Sequence, residues 1–316
     1  MRALVTGAAG FVGSTLVEHL VAAGWNVTAV DSVTPYYDVD QKRDNLAAVR
    51  RSSAVEVRDD DLRSADLTPL LTPVDVVFHQ AGQPGVRASW ADFDSYVEHN
   101  VLATRRLLEA ARSAELSRFV FASSSSVYGN IGAYPTREDM LPRPQSPYGV
   151  TKLAAEHLCG VYARNWDVPT VSLRYFTVYG PRQRPDMAMH RLVEAALTGE
   201  PFPIFGDGGQ IRDFTYVDDV VAGNMAAATA DVEPGMVVNI AGGGSTTLSD
   251  VIKTVERLTD RTIALDRRPV QAGDVHRTGG AIDRARQALG WSPRVTVDEG
   301  LKRQVEWHER RRSDAG

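Results

Sequence analysis

The stretch Ala3-Leu4-Val5-Thr6-Gly7-Ala8-Ala9-Gly10-Phe11-Val12-Gly13 decides how the chain is read. Residues 3–6 form a short apolar, strand-like run, and a G-x-x-G-x-x-G spacing follows before helical periodicity begins. Gly7 suits a tight turn, Gly10 lets the backbone approach an anion without a Cβ in the way, and Gly13 lets the new helix lie close on the strand. The free amides of that helix's first turn then face a pyrophosphate.

The same rhythm continues outward. Strand-like runs at 27–30, 55–57, 74–79, 119–122 and 170–173 alternate with helical spacings, such as Val97, Val101, Leu107, Leu108 and Ala111, or Leu153, Leu158, Val161 and Tyr162. Strands buried on both faces and separated by helices predict a parallel sheet with right-handed crossovers, a doubly wound α/β unit. After about Tyr175, Gly180-Pro181, Gly199-Glu200-Pro201 and Gly206-Asp207-Gly208-Gly209 break up shorter elements and begin a smaller region. A strand at 214–217 and a helix at 218–230 are expected to return to the first unit, followed by a strand at 237–240. The expected division is therefore 1–176 plus about 214–241, and about 177–213 plus 242–316, with a frayed helix end over 310–316.

With 316 residues, the chain exceeds the roughly 250–300 at which single cores stop growing. It is 43% hydrophobic and 24% charged, the proportions of a soluble globular protein. A net charge of −5 gives no general attraction to phosphate backbones, so nucleic acid is not the expected partner. No run approaches ~18 apolar residues, so no membrane span is expected. The single cysteine, Cys159, rules out an intramolecular disulfide, and Met1-Arg2 runs straight into a strand with no signal-peptide pattern; the cytoplasm is the expected setting. The seven histidines show no paired ligand spacing, so no metal is expected.

Asp31 ends the second strand, 24 positions beyond Gly7. A carboxylate there accepts hydrogen bonds from an adenosine ribose and repels a 2′-phosphate, favouring NAD over NADP; the alternative is plain turn chemistry. Asp61-Leu62, after the third strand, is placed to bracket an adenine or else to lie in a solvated loop. Tyr148 and Lys152 are four apart and share a helix face. A phenol has a pKa of ~10, but an ammonium and an oxidised nicotinamide beside it favour the phenolate, which can take a proton from a sugar hydroxyl. Lysine is scarce, with only Lys42, Lys152, Lys253 and Lys302 in the chain. Ser123-Ser124-Ser125-Ser126 follows a buried strand, at the carboxyl edge where such sheets bind ligands.

Together, Gly7-x-x-Gly10-x-x-Gly13, Asp31, Ser123-Ser124-Ser125 and Tyr148-x-x-x-Lys152 resemble the extended short-chain dehydrogenase/reductase, or NAD-dependent epimerase/dehydratase, family over nearly the whole chain. The resemblance implies a Rossmann-type sheet with a smaller α/β substrate-binding domain, a tightly held NAD and a nucleotide-sugar substrate. It implies Ser124 as the hydroxyl that orients the sugar oxygen, Tyr148 as acid/base and Lys152 as its electrostatic partner, with Ser125 and Ser126 in reserve. Cofactor contacts are implied from Gly7, Gly10, Phe11, Val12, Gly13 and Asp31, from Asp61 and Leu62, from Gln80, Ala81 and Gly82, from Asn100, and from Tyr148, Lys152 and Tyr175. A homodimer formed through a helix pair is usual in the family.

The segment from Arg174 to Met187 is most similar to that of UDP-glucuronate 4-epimerases. A C6 carboxylate entering a dry pocket must be paired. Arg184 is the bidentate candidate, supported by Thr177, Ser125 and Ser126; the alternative is a surface guanidinium in a Pro-rich loop. Arg87 is expected either at the substrate or paired with Asp92 or Asp94. The resemblance implies that Pro203 and Phe205 lie at the uracil, that Arg212, Arg191 and Arg277 serve the diphosphate, and that Asp274 binds a ribose. Galactose epimerases typically carry Asn at the position of Thr177 and Arg at that of Gln271, and both departures point away from a neutral hexose. The implied reaction is NAD-dependent C4 epimerisation of UDP-glucuronate to UDP-galacturonate through a 4-keto sugar. The alternatives are a decarboxylase giving UDP-xylose, another UDP-sugar 4-epimerase, or an NAD-sensing regulator without turnover.

Overall fold

The structure is a computed structural model that describes residues 1–130, 132–206, 208–269 and 277–315. Six short apolar strands alternate with helices in the first half: β1 (Arg2–Thr6), β2 (Asn26–Val30), β3 (Val55–Arg58), β4 (Val76–His79), β5 (Arg118–Ser124) and β6 (Thr170–Tyr175). Beyond them come β7 (Thr177–Tyr179), β8 (Phe202–Phe205), β9 (Ile211–Arg212), β10 (Phe214–Tyr216), β11 (Met236–Ile240), β12 (Thr246–Thr247) and β13 (Leu265–Arg268). The helices are α1 (Phe11–Ala22), α2 (Val39–Val49), α3 (Phe93–Tyr96), α4 (Ala103–Ala111), α5 (Pro147–Trp166), α6 (Ala188–Thr198), α7 (Val217–Thr229), α8 (Leu248–Thr259), α9 (Asp283–Leu289) and α10 (Val297–Ala315).

Seven strands form one parallel sheet in the order β11-β6-β5-β4-β1-β2-β3. The chain winds one way from β1 to β3, then restarts on the other side of β1 with β4. The loops after β1 and β4 therefore diverge and leave a crevice at the carboxyl edge. Thr6 and His79 are register partners at its floor. Central β5 is buried along its whole length, as expected of a strand covered by helices on both faces.

The structure departs from expectation in four places. The strand near 214 does not join the large sheet; β10 pairs with β7 in a separate two-stranded parallel sheet. β5 runs through Ser123 and Ser124, so the serine run begins inside the sheet, not in a loop. Val161, expected in the buried stripe of α5, is 36% exposed. The C-terminal helix holds together as far as Ala315, tied by Arg311 to Asp38 and Gln41 at 3.1 Å each. Among the described residues no helix is long and apolar enough to cross a membrane.

The turn after β1 is the tightest point of the fold. Gly7 sits at φ 71°, and a Cβ there would lie 2.7 Å from the Ala81 nitrogen. A Cβ on Gly13 would lie 2.0 Å from the Gly7 carbonyl oxygen, a backbone atom that cannot move without breaking the turn. Gly13→Ala is accordingly expected to displace α1 and abolish dinucleotide binding; fluorescence titration with NAD checks this, and parental affinity in the variant would refute it.

Candidate active site

The crevice opens into a cleft with a cavity volume of about 450 Å³, within the range of small-molecule and cofactor sites. Gly7, Gly10, Phe11, Val12 and Gly13 line one end. A Cβ on Gly10 would meet only the Gly7 oxygen, at 3.1 Å, so its missing side chain leaves a cradle open to an anion. Asp31 is fixed beside it: its two oxygens accept from the Ala9 amide at 2.9 Å and the Val33 amide at 2.7 Å. Burial pushes its pKa up, while those amides and nearby Lys42 favour the charged form. Asp61 and Leu62 also line the cleft, Asp61 held by Arg63 through several bonds, the shortest 2.7 Å. A dinucleotide fits this donor set, which combines a glycine turn open to an anion, a fixed carboxylate and the apolar side chain of Leu62.

At the other end, helix α5 is capped by Ser146, whose Oγ accepts from the Gly149 amide at 3.1 Å, with Pro147 opening the first turn. Tyr148 lies in that turn, where the helix dipole favours a phenolate. Its seclusion raises the phenol's pKa, and a hydrogen bond with Ser124 works against the rise. Burial lowers Lys152 to about 8, opposed by Cys159 and Glu156. The period-2 alternation of β5 sorts its serines. Ser123 is turned away and donates to Glu156 at 2.6 Å, whereas Ser124 faces the phenol and accepts from the Ser126 amide at 3.1 Å. Behind them Arg174 grips Glu156 at 2.6 and 3.0 Å, a buried pair whose loss on one side costs about 3–5 kcal/mol.

Other groups hold these in register. Asn100, in the π-helical turn Val97–Leu102 between α3 and α4, accepts from the Gln83 amide at 2.7 Å and donates to Thr151 at 3.0 Å. Its own carbonyl receives the Thr104 hydroxyl at 2.7 Å, and Thr104 meets buried His79, which meets Thr6, at 2.8 Å each. Burial drives His79 down to about 3, so it stays neutral at ordinary pH. The Tyr175 hydroxyl contacts Gln80 at 3.0 Å and Asn224 at 2.8 Å. Ala81 and Gly82 complete that wall.

Ser125, Ser126, Thr177 and Arg184 line the cleft beside Tyr148. Arg184 is not a surface guanidinium: its side chain is 18% exposed and bonds Asp186 through Nε at 2.9 Å and Nη2 at 3.0 Å. Arg87 lies 5.0 Å from the Phe205 ring, and this joins the β4 loop to β8, which also holds Pro203. Arg277 stacks 3.4 Å from the Tyr134 ring and bridges to Ile211 beside Arg212. Arg191 is exposed on α6, and Asp274 lies outside the described residues. Sequence reasoning missed Tyr36, whose oxygen a Cβ on Gly85 would meet at 2.0 Å, along with Tyr37 and Lys42 of the same cleft wall. The aromatic pair after β2 was the available signal.

A parallel sheet reversing at a glycine turn, with a tyrosine–lysine–serine cluster in its crevice, defines a nicotinamide-dependent enzyme acting on a hydroxyl-bearing substrate. Residues 3–241 match the model of the NAD dependent epimerase/dehydratase family, and the chain belongs to that family. A protein of Rhizobium meliloti described as a probable UDP-glucuronate 4-epimerase is 36% identical, covering 98% of this chain and 97% of that one. The crystal structure of UDP-glucuronic acid 4-epimerase from Bacillus cereus with UDP-glucuronic acid and NAD is 41% identical at a TM-score of 0.94, covering 98% and 99% of the two chains. UDP-glucose 4-epimerase of Thermotoga maritima, solved with UDP-glucose, is 32% identical at a TM-score of 0.90, covering 98% and 99%.

Lysine in water titrates near 10.5 and here near 8, so between those values the unfolded chain holds the extra proton and native stability rises with pH. Below pH 8 the penalty for burying the ammonium is present in full. Lys152→Met is therefore expected to raise the Tm of cofactor-free protein at pH 7, by a margin that shrinks as pH climbs past 8, while lowering kcat at least 100-fold. Calorimetry beside initial rates checks both, and a lower Tm at pH 7 would refute the assignment.

Proposed function

We propose that the chain is a UDP-glucuronate 4-epimerase that interconverts UDP-glucuronate and UDP-galacturonate with a resident NAD. The observation carrying this reading is that Tyr148 shares one cleft with Arg184, Thr177, Ser125 and Ser126, a guanidinium and three hydroxyls suited to a C6 carboxylate. The Bacillus cereus complex with UDP-glucuronic acid and NAD supports it.

When bound, NAD accepts and returns the hydrogen on C4, so the sugar passes through a 4-keto form. Ser124 orients O4, and Tyr148 takes the O4 proton and later restores it. Lys152 and the α5 N-terminus hold the phenolate's charge. The 4-keto sugar is a β-keto acid, which loses CO2 when the carboxylate bond aligns with the carbonyl π system. Arg184, Thr177 and the serines hold it out of that alignment. Asp186 already occupies two nitrogens of Arg184, so the incoming carboxylate shares or displaces it. Phe205 with Arg87 is the proposed uracil wall, with Arg212, Arg277 and Arg191 toward the diphosphate.

The division into 1–176 plus about 214–241 as the NAD unit, and about 177–213 plus 242–316 as the sugar-nucleotide unit, belongs to this reading. The return of β11 to the large sheet favours it; the β10–β7 pair moves residues 214–216 toward the smaller unit. So does a homodimer: Trp90, Phe93 and Val150 are 70%, 44% and 46% exposed around one apolar hollow beside α5. A cytoplasmic setting, where both NAD and UDP-sugars occur, is consistent with a buried, unpaired Cys159.

Purified protein given UDP-glucuronate and no added cofactor is expected to form UDP-galacturonate, followed by NMR; turnover of UDP-glucose alone would overturn the uronate assignment. Tyr148→Phe should lower kcat by about 10²–10⁴-fold. Arg184→Ala should raise KM for UDP-glucuronate about tenfold or more and increase the UDP-pentose by-product. Unchanged KM and product ratio would remove Arg184 from the clamp. Trp90→Lys is expected to shift the protein toward monomer in sedimentation equilibrium, and an unaltered mass distribution would place the interface elsewhere.

A further inference from the structure

Away from the cleft, helices α6 and α10 bring His308 against His190 and Glu194, which lie far earlier in the chain. His190 and Glu194 stand four apart on one face of α6. His308 reaches them from α10, its Nδ1 at 2.5 Å from Glu194 Oε1 and its ring centroid at 4.4 Å from that of His190. One ligand atom from each residue lies within 4.8 Å of the others. Both histidines are buried, at 6% and 1% exposure.

The hydrogen bonds leave lone pairs facing inward. His190 Nδ1 is held by the Gln183 carbonyl at 2.8 Å, which sets it as the N–H donor and leaves Nε2 a lone pair. This is the arrangement in which a backbone carbonyl orients a metal-binding imidazole. His308 Nε2 is buried with no partner among the described residues, and so is Gln304 Oε1, one turn earlier on the same helix.

We propose that His190, Glu194 and His308 bind a late first-row divalent cation of the zinc type, stapling α10 to α6. Imidazole and carboxylate are ligands such ions favour, and one cation satisfies lone pairs that otherwise need separate donors. Tetrahedral zinc, with bonds of about 2.0–2.1 Å, sets ligand atoms roughly 3.4 Å apart, so loading adjusts a cluster now spread within 4.8 Å through side-chain rotation. Arg312 holds the other Glu194 oxygen at 3.3 Å, and Oε1, which His308 Nδ1 already contacts, keeps its second lone pair for the cation. Gln183, which anchors His190 through its carbonyl and the His190 amide, adjoins Arg184, so the staple also braces the loop carrying the sugar-facing guanidinium.

Tag-free protein stripped with EDTA is titrated with ZnCl2 by calorimetry and with CoCl2 by absorption. The expected result is one equivalent per chain, four-coordinate cobalt bands, and a Tm gain of roughly 4 °C at a hundredfold excess over Kd. Glu194→Gln and His308→Gln should each weaken binding tenfold or more while NAD still binds. If His308→Gln fails to fold, Glu194→Gln and the parent's cobalt spectrum decide. Absence of stoichiometric uptake, or uptake unaltered in the variants, overturns the proposal and leaves the lone pairs to buried water or the ion to the surface.

Discussion

The space between Gly7 and Gly13 governs everything downstream of it. A Cβ at position 13 would stand 2.0 Å from a carbonyl oxygen that also accepts the Gly10 amide at 3.0 Å. Only a hydrogen at that Cα lets α1 begin directly on the end of β1, and only that start aims the first-turn amides across the crevice. Asp31 depends on the same geometry, because one of its oxygens is bound to the Ala9 amide within the turn. The sheet reversal between β1 and β4 then gives the turn something to face.

The site is assembled against the stability of the fold. Lys152 is an ammonium held where water is scarce, which accounts for its lowered pKa. Glu156 and Arg174 are buried together, which is tolerable because the guanidinium meets the carboxylate at two points and Ser123 donates a third bond. These charges support the strand that carries Ser124 and the helix that carries Tyr148, so rigidity is placed behind those two side chains. The chain from Thr6 through His79 and Thr104 to Asn100 does the same for the loop over Gly82. A neutral imidazole suits that position, since it donates through one nitrogen and accepts through the other.

Much of this was legible in the order of residues because the causes are local. A turn that excludes Cβ atoms, a carboxylate at a strand end and a tyrosine one helical turn before a lysine are each set by neighbours in the chain. The choice of Ser124 among the four serines came from the family resemblance and not from local spacing. In the structure it follows from β5 extending through Ser124, so that alternation turns Ser123 toward Glu156 and Ser124 toward Tyr148. Arg184 was expected either to clamp a carboxylate or to sit on the surface, and its pairing with Asp186 was not legible, since a local partner and a distant ligand leave the same trace in sequence. That the strand near 214 pairs with β7 was not legible, because a short apolar run does not name the edge it pairs with.

Sequence by itself determined the α/β class, the glycine turn, the carboxylate just after β2 and the Tyr148–Lys152 pair, because those depend on backbone sterics and on spacings of at most one turn or one βαβ unit. Tertiary structure alone decided which serine meets the phenol, what Arg184 holds, how Arg87 reaches Phe205 and that His190 and His308 share a pocket. Those contacts join elements far apart along the chain, and their geometry is set by how helices and strands pack, which no short stretch encodes.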